Sequence, residues 1–137
     1  MKLYHYYRSS CSWRLRWALN LKGLEYSKEH VHLLKKEQKE PSYSKLNSSQ
    51  AVPSLMIGEQ AYSESVALIE WLDESYPEPS LLPQTPLERL YVRELALVIA
   101  SGTQPLQNLH AQEYFSENKD NRLSYARYWI QRGLFVF

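Results

Sequence analysis

The order of apolar and polar positions predicts an α/β domain at the start of the chain. A β-prone run from Leu3 to Tyr7 stops at a polar cluster and predicts a first strand. From Ser12 the apolar residues recur at helical spacing, which predicts a first helix that ends at the capping glycine Gly23. Its expected buried face combines residues four apart with their neighbours, namely Trp13, Trp17, Leu21, Leu15, Ala18 and Leu19.

Three further strands and a second helix are expected next. Residues 25–33 predict a second strand, and the apolar run 51–58 predicts a third that pairs back across a glycine turn with Ala61 and Tyr62. The second helix, N-capped by Ser63, has an expected apolar face of Val66, Ile69 and Leu72. This order is β-α-β followed by β-β-α, so the first two strands are parallel and the hairpin is antiparallel.

Four prolines between residues 77 and 86 predict a stiff linker and a domain boundary. We therefore expect two domains, at residues 1–80 and 81–137. Thr85 and Glu88 fit a capping box with Pro86 at the first helical position. The second domain thus begins with a helix.

The second domain is expected to contain two helices. The first runs to about Ala111 with a bend at Pro105, and a polar break at residues 116–121 separates it from the last. The last helix begins near Arg122 and has an expected buried face of Tyr125, Trp129 and Ile130. Two helices bury a face poorly, so this domain is expected to be incomplete.

Composition and charge argue against several classes of protein. Sixteen Lys and Arg residues against 15 Asp and Glu give a net charge of +1, which does not suggest a nucleic-acid partner. No apolar run is long enough to span a membrane, and the N-terminus lacks the apolar stretch of a signal peptide. With a single cysteine, these features predict a cytoplasmic protein without an internal disulfide. No metal site is expected.

The segment from Arg8 to Arg14 carries the first candidate chemistry. Three serines and Cys11 lie where the first strand turns into the first helix. Unpaired N–H groups and a partial positive charge at a helix N-terminus favour a bound thiolate, and serine hydroxyls donate to its sulfur. Taken alone, the serines fit ordinary helix capping better, and Cys11 fits either a small buried residue or a reactive thiol. No second cysteine three residues on supports dithiol chemistry.

Two later segments strengthen the case for a ligand. Val52 and Pro53 enter a strand after a polar loop, where a cis-proline exposes the backbone to a peptide-like ligand. Residues 63–65, Ser-Glu-Ser, lie at another helix N-terminus, which suits a ligand with an α-carboxylate and an α-ammonium group. The three features in this order are more specific than any one alone.

At these positions the sequence resembles the zeta class of glutathione transferases, which includes maleylacetoacetate and maleylpyruvate isomerases. The similarity rests on residues 9–14, Ser-Ser-Cys-Ser-Trp-Arg, and continues through Leu46-Asn47, Val52-Pro53, Glu64-Ser65, residues 81–83 and residues 99–109. The resemblance implies a thioredoxin-like N-terminal domain with a mixed four-stranded sheet, followed by an all-helical domain. Members continue for several more helices, so the resemblance implies an α domain that is incomplete here.

The resemblance also implies a cofactor and a set of site residues. The cofactor is glutathione, and the catalytic residues are Ser9, Ser10 and Cys11, with the serines ranked first. The implied cofactor-binding residues are Ser9, Ser10, Cys11, Ser12, Trp13, Arg14, Gln38, Val52, Glu64, Ser65, Gln104 and Asn108. Glu64 stands where many members carry glutamine.

The implied reaction is glutathione-dependent cis–trans isomerisation of a maleyl compound, as in tyrosine and phenylalanine degradation. Arg8 and Arg14 flank the serines and are the candidates for binding substrate carboxylates. Two alternatives stay open: a glutathione-binding or thiol-redox protein without isomerase activity, and a transferase acting on haloacids. Relatives pair through the N-terminal domain of one subunit and the helical domain of the other, so we expect a homodimer.

Overall fold

The computed structural model describes residues 1–136, which divide into two compact units, one from Met1 to Leu82 and the other beginning at Pro83. The first unit contains a four-stranded mixed sheet of order β2-β1-β3-β4. Strands β1 and β2 are parallel, whereas β3 is antiparallel to both β1 and β4. The strands are β1 (Lys2–His5), β2 (Ser27–His30), β3 (Ser54–Ile57) and β4 (Gln60–Tyr62). The mixed sheet is therefore confirmed, and its first three strands are shorter than the sequence predicts.

Three α-helices accompany the sheet, and two short 3₁₀ turns lie at Leu33–Lys35 and Glu37–Lys39. The helices are α1 (Ser10–Leu21), α2 (Pro41–Ser44) and α3 (Ser65–Ser75). Helices α1 and α3 pack together and contribute to one core with the sheet. Its fully buried leucines are Leu3, Leu15, Leu19, Leu55 and Leu72.

The predicted buried face of α1 is partly wrong. Leu15, Ala18 and Leu19 are buried, but the side chains of Trp13, Trp17 and Leu21 are 48%, 61% and 64% exposed. An α-helix turns by about 100° per residue, so positions 13 and 15 lie roughly 200° apart and cannot share a face. These three exposed side chains thus lie on the opposite side of α1 from the core.

A buried ion pair in the first unit links the end of α1 to α3. The Lys22 ammonium, just after α1, is fully buried and lies 2.7 Å from the Asp73 carboxylate on α3. It also donates to the backbone carbonyls of Tyr76 and Pro79, each at 2.6 Å. Asp73 in turn accepts the backbone N–H of Leu81 at 2.7 Å. One lysine therefore fastens the proline-rich segment to the two helices.

The second unit is helical and begins with the expected Thr85 cap, although the Glu88 carboxylate bonds the Thr85 hydroxyl in place of the backbone N–H of a capping box. Thr85 caps α4, and its hydroxyl both accepts the Glu88 N–H at 3.3 Å and donates to the Glu88 carboxylate at 2.7 Å. The single helix expected to reach Ala111 is instead three helices, because the chain turns at residues 101–103 and again at Asn108. The helices are α4 (Pro86–Ala100), α5 (Gln104–Gln107), α6 (Leu109–Phe115) and α7 (Lys119–Leu134).

Helix α7 differs from expectation at its start and on its buried side. It is N-capped by Asn118 and begins before Arg122. Its buried residues are Ala126 and Gly133, while the expected Ile130 is 38% exposed. At Gly133, α7 approaches Thr103 so closely that an added Cβ atom would lie 1.9 Å from Thr103 Oγ1. Within residues 1–136, no helix has the length and apolar character needed to cross a membrane.

Candidate functional site

The loop between β1 and α1 leads into residues 9–12, Ser-Ser-Cys-Ser, called the serine motif below, at a capped helix end. Ser9 has an extended backbone and serves as the N-cap of α1, where its hydroxyl oxygen accepts the Ser12 N–H at 3.2 Å. That bond occupies a lone pair of Ser9 and does not use its hydroxyl proton. Ser10 is the exposed first residue of the helix. Ser9 can thus cap the helix and still donate a hydrogen bond outward.

Ser12 and Trp13 both make hydrogen bonds to the loop between β1 and α1. Ser12 is fully buried, and its hydroxyl oxygen accepts the backbone N–H of Tyr6 at 3.4 Å. Its own backbone N–H donates to Ser9, so both groups are used within the loop, and the predicted role of Ser12 in cofactor binding stays a prediction. The Trp13 indole nitrogen donates to the Tyr7 carbonyl at 2.9 Å, which turns the exposed ring back over the loop.

The fold brings the N-termini of α1 and α3 together around Cys11. Arg14 Nη2 lies 3.9 Å from the half-buried Cys11 sulfur, and the Ser65 side chain is within hydrogen-bonding reach of it. Burial raises the pKa of the Cys11 thiol; Arg14 and Ser65 oppose that rise, and the nearby Glu64 carboxylate adds to it. Two residues of the segment from Arg8 to Arg14 therefore lie beside two residues at the start of α3. The raised pKa means that Cys11 is not activated as a thiolate.

The N-terminus of α3 is open to a ligand. The predicted cap Ser63 is wrong, because the capping position is occupied by Glu64, which makes no side-chain capping bond. Glu64 has a positive φ of 68°, a conformation that non-glycine residues rarely adopt. It precedes the buried Ser65 and leaves the first-turn N–H groups without a cap from that side chain. Such an end attracts a carboxylate.

A buried polar network holds the loop that leads into β3. The Val52–Pro53 peptide bond is cis, as expected from the sequence. Asn47 Nδ2 donates to the Ala51 carbonyl and to the Ser54 hydroxyl, each at 2.9 Å, and the Tyr43 hydroxyl bonds the same two groups. Sequence reasoning missed Tyr43 and Ser54, because nothing in their spacing connects helix α2 to a strand. The network fixes the backbone at Val52.

Gln38 supplies an unsatisfied polar atom. It lies in the second 3₁₀ turn, and its Oε1 is buried without a hydrogen-bond partner among the described residues. A buried acceptor without a partner costs roughly 1–3 kcal/mol, so a ligand N–H group would be favoured there. Gln104 and Asn108 lie in the second unit: Gln104 is buried at the start of α5, and Asn108 caps α6 through its own side chain. Their predicted contacts with a cofactor stay predictions.

A surface pocket of about 590 Å³ adjoins the serine motif. Two arginines and three aromatic rings line it together with a serine: Tyr7, Arg8, Ser10, Trp13, Arg14 and Trp17. The predicted substrate residues Arg8 and Arg14 thus face the same space as Ser10. Trp17, which the sequence predicts in the core, instead lines this pocket, and its ring lies 5.4 Å from that of Trp13. No cluster of possible metal ligands is present in the described part of the chain.

The sheet order, the flanking helices and the paired helix N-termini define a thioredoxin-like domain followed by a helical one. Residues 3–80 match the family model for the glutathione S-transferase N-terminal domain. Over 134 residues the sequence is 42% identical to probable maleylacetoacetate isomerase 1 of Drosophila melanogaster, covering 96% of this chain and 54% of the relative.

Two solved structures match closely. One is a bacterial zeta-class maleylpyruvate isomerase, with a TM-score of 0.96 and 39% identity, covering 100% of this chain and 66% of that one. The other is maleylacetoacetate isomerase of Methylobacterium extorquens, with malonate and glutathione bound, a TM-score of 0.96 and 31% identity, covering 99% and 66%. The chain therefore belongs to the glutathione transferase family, in its zeta class, and spans about half to two thirds of these relatives.

Proposed function

We propose that this protein binds glutathione and uses it to isomerise a maleyl compound, such as maleylacetoacetate, from cis to trans. The observation that carries the proposal is the meeting of the two helix N-termini: Cys11 on α1 lies beside Glu64 and Ser65 at the start of α3. A thiol tripeptide with a free α-carboxylate needs both a thiolate site and a carboxylate site a short distance apart. The first unit offers both.

The residues of the first unit fit glutathione group by group. The uncapped end of α3, with Ser65, suits the γ-glutamyl carboxylate, and Glu64 suits its ammonium group. The backbone at Val52 is fixed for pairing with the peptide, and the buried Gln38 Oε1 gains a partner from a peptide N–H. Ser9, with its unused hydroxyl proton, and Ser10 suit the sulfur.

The chemistry that bound glutathione supplies is reversible addition of its thiolate to the cis double bond, which permits rotation before elimination. Ser9 and Ser10 hold the sulfur as a thiolate by hydrogen bonding, and the α1 N-terminus adds its partial positive charge. Arg8 and Arg14 bind the substrate carboxylates and stabilise the negative charge that develops on the neighbouring carbonyl. The malonate bound in a relative fits such a dicarboxylate site.

An isomerase assay tests this proposal directly. We expect turnover of maleylacetoacetate only in the presence of glutathione, and a loss on the order of tenfold to a hundredfold in kcat for Ser9→Ala and Ser10→Ala. Ser75→Ala, at the exposed end of α3, is the matched control and should retain full activity. Glutathione binding without turnover of a maleyl compound would instead favour the binding-module or haloacid alternatives.

We further propose a cytoplasmic homodimer in aromatic amino-acid breakdown, with functional domains at residues 1–80 and 81–137. Support for the dimer comes from α4, which buries no residue and carries an exposed apolar stripe. The members of the stripe are 52–76% exposed and recur at helical spacing: Leu87, Leu90, Tyr91 and Leu97. Exposed apolar stripes of this kind mark protein contacts.

A further inference from the structure

Arg16 makes contacts that no role inferred from the sequence explains. It lies two turns into α1, yet its guanidinium extends back to the end of β1 and the loop beyond it. Nη2 donates to the Tyr7 carbonyl at 3.3 Å, and Nη1 lies 3.4 Å from His5 Nδ1. Its carbon Cζ lies 5.8 Å from the centre of the Trp13 ring, where a guanidinium is attracted to the aromatic face.

The Tyr7 carbonyl is held from two directions. It accepts Trp13 Nε1 at 2.9 Å as well as Arg16 Nη2, so two side chains of the same helix converge on one loop atom. Arg16 also stacks on Trp13 and so helps to orient the other donor. Removing Arg16 would therefore abolish one bond to this carbonyl and leave the ring that makes the other bond less well oriented.

This carbonyl begins the loop that presents the serine motif. Ser9 follows two residues later and is tied to the same region, because its N–H donates to the Tyr6 carbonyl at 3.1 Å. Tyr6 N–H donates to Ser12, and Ser12 N–H donates to Ser9. The direction of the Ser9 hydroxyl is thus set by a loop anchored at one end by these bonds and at the other by Arg16.

We propose that Arg16 is a positioning residue: it holds the Tyr7–Ser9 loop so that the serine hydroxyls donate hydrogen bonds to the glutathione thiolate. This inference rests on the proposed function. Arg16 contacts neither reacting atom; it acts through the Tyr7 carbonyl and Trp13. Misplacing a catalytic group by about 1 Å can cost on the order of a hundredfold in rate, so the expected loss of kcat is roughly tenfold to a hundredfold.

The test compares three variants with the wild-type chain. Arg16→Met removes the charge and all donors; Arg16→Lys keeps the charge but lacks the planar fork that serves two acceptors. Trp13→Phe keeps a ring and removes the second donor to Tyr7. Arg127→Met, an exposed arginine on α7, is the matched control. Each is measured for glutathione affinity by calorimetry, for the pKa of the bound thiol by thiolate absorbance, and for kcat and KM.

We expect Arg16→Met to raise the bound thiol's pKa and lower kcat, with little change in the KM of the maleyl substrate. Arg16→Lys should recover part of the loss, and Trp13→Phe should shift the thiol pKa in the same direction. If Arg16→Met fails to fold, Arg16→Lys and Trp13→Phe decide the matter through the same pKa. If the wild type is active and the pKa of the bound thiol is the same in the variants, the proposed role of Arg16 is wrong while the proposed function stands. A wild type that binds no glutathione would overturn the proposed function and this inference with it.

Discussion

At the scale of single residues, Cys11 illustrates how the fold changes an interpretation drawn from sequence. A cysteine at a helix N-terminus suggests a lowered pKa, but burial dominates here and raises the pKa of its thiol. The two serines differ in kind: Ser9 caps α1 and Ser10 lies exposed at its first position. We therefore propose that the hydroxyl groups, and not a Cys11 thiolate, carry the chemistry at this helix end.

The first prediction follows from that raised pKa. A higher pKa means a smaller thiolate fraction at any given pH, so Cys11 should be alkylated by iodoacetamide more slowly than glutathione at pH 7. The rate should rise with pH through an inflection above that of an ordinary cysteine. Correspondingly, Cys11→Ala should retain most isomerase activity. Rapid alkylation at pH 7, or loss of activity in Cys11→Ala but not in Ser9→Ala, would reverse the ranking.

The residues also show where sequence patterns are informative. The serine motif, Val52-Pro53 and Glu64-Ser65 were identified because they occur at element boundaries, where turn chemistry is local. Tyr43 and Ser54 were missed because their contact depends on how α2 meets β3. Residue preferences favour Ser63 as the cap, but the backbone at Glu64 adopts a positive φ that these preferences do not predict.

At the scale of elements, the order of strands and helices in the first unit was predictable and their packing was less so. The alternation β-α-β and β-β-α follows from periodicity and gives the mixed sheet. Both faces of α1 carry large apolar residues, so residue type does not tell the buried face from the exposed one, and only the angular spacing separates Trp13 from Leu15. In the second unit, the turns at residues 101–103 and 108 divide a pattern that sequence alone treats as continuous.

The buried ion pair between α1 and α3 gives the second prediction. Lys22→Met leaves the Asp73 carboxylate buried without its counter-charge and two carbonyls without a donor, which should cost about 3–5 kcal/mol in the free energy of unfolding. Adding Asp73→Asn should recover part of that loss because the uncompensated charge is gone. Urea unfolding at pH 7 measures both. A loss below about 1 kcal/mol in the single variant would contradict the packing described here.

The third prediction concerns the close approach of α7 to Thr103. Gly to Ala inside a helix normally stabilises by up to about 1 kcal/mol. At Gly133 the added Cβ would lie 1.9 Å from Thr103 Oγ1 and 3.0 Å from its Cβ, so Gly133→Ala should instead destabilise by about 1–3 kcal/mol. Combining it with Thr103→Ala should reduce the penalty, and Ser124→Ala, exposed on α7, is the control. Stabilisation by Gly133→Ala in thermal unfolding would show that the helices lie further apart.

At the scale of the whole molecule, the fourth prediction concerns assembly through α4. If the stripe of Leu87, Leu90, Tyr91 and Leu97 is a subunit contact, Leu90→Glu places a charge in it. The dissociation constant of the dimer should then rise by roughly tenfold or more. Sedimentation velocity at micromolar concentration measures this. Leu123→Glu, an exposed leucine on α7, should leave the dimer unchanged, and a monomeric wild type would contradict the proposed assembly.

Isothermal titration with glutathione measures whether the first unit binds the tripeptide across the N-termini of α1 and α3. We expect one saturable site on the wild-type chain, and binding at least about tenfold weaker in Ser65→Ala, because one partly buried hydrogen bond to a charged carboxylate contributes roughly 1.5–3 kcal/mol. Ser75→Ala, at the other end of α3, should bind as the wild type does. Absence of a saturable heat with the wild type, or equal affinity in Ser65→Ala, would show that glutathione does not bind across these two helix N-termini.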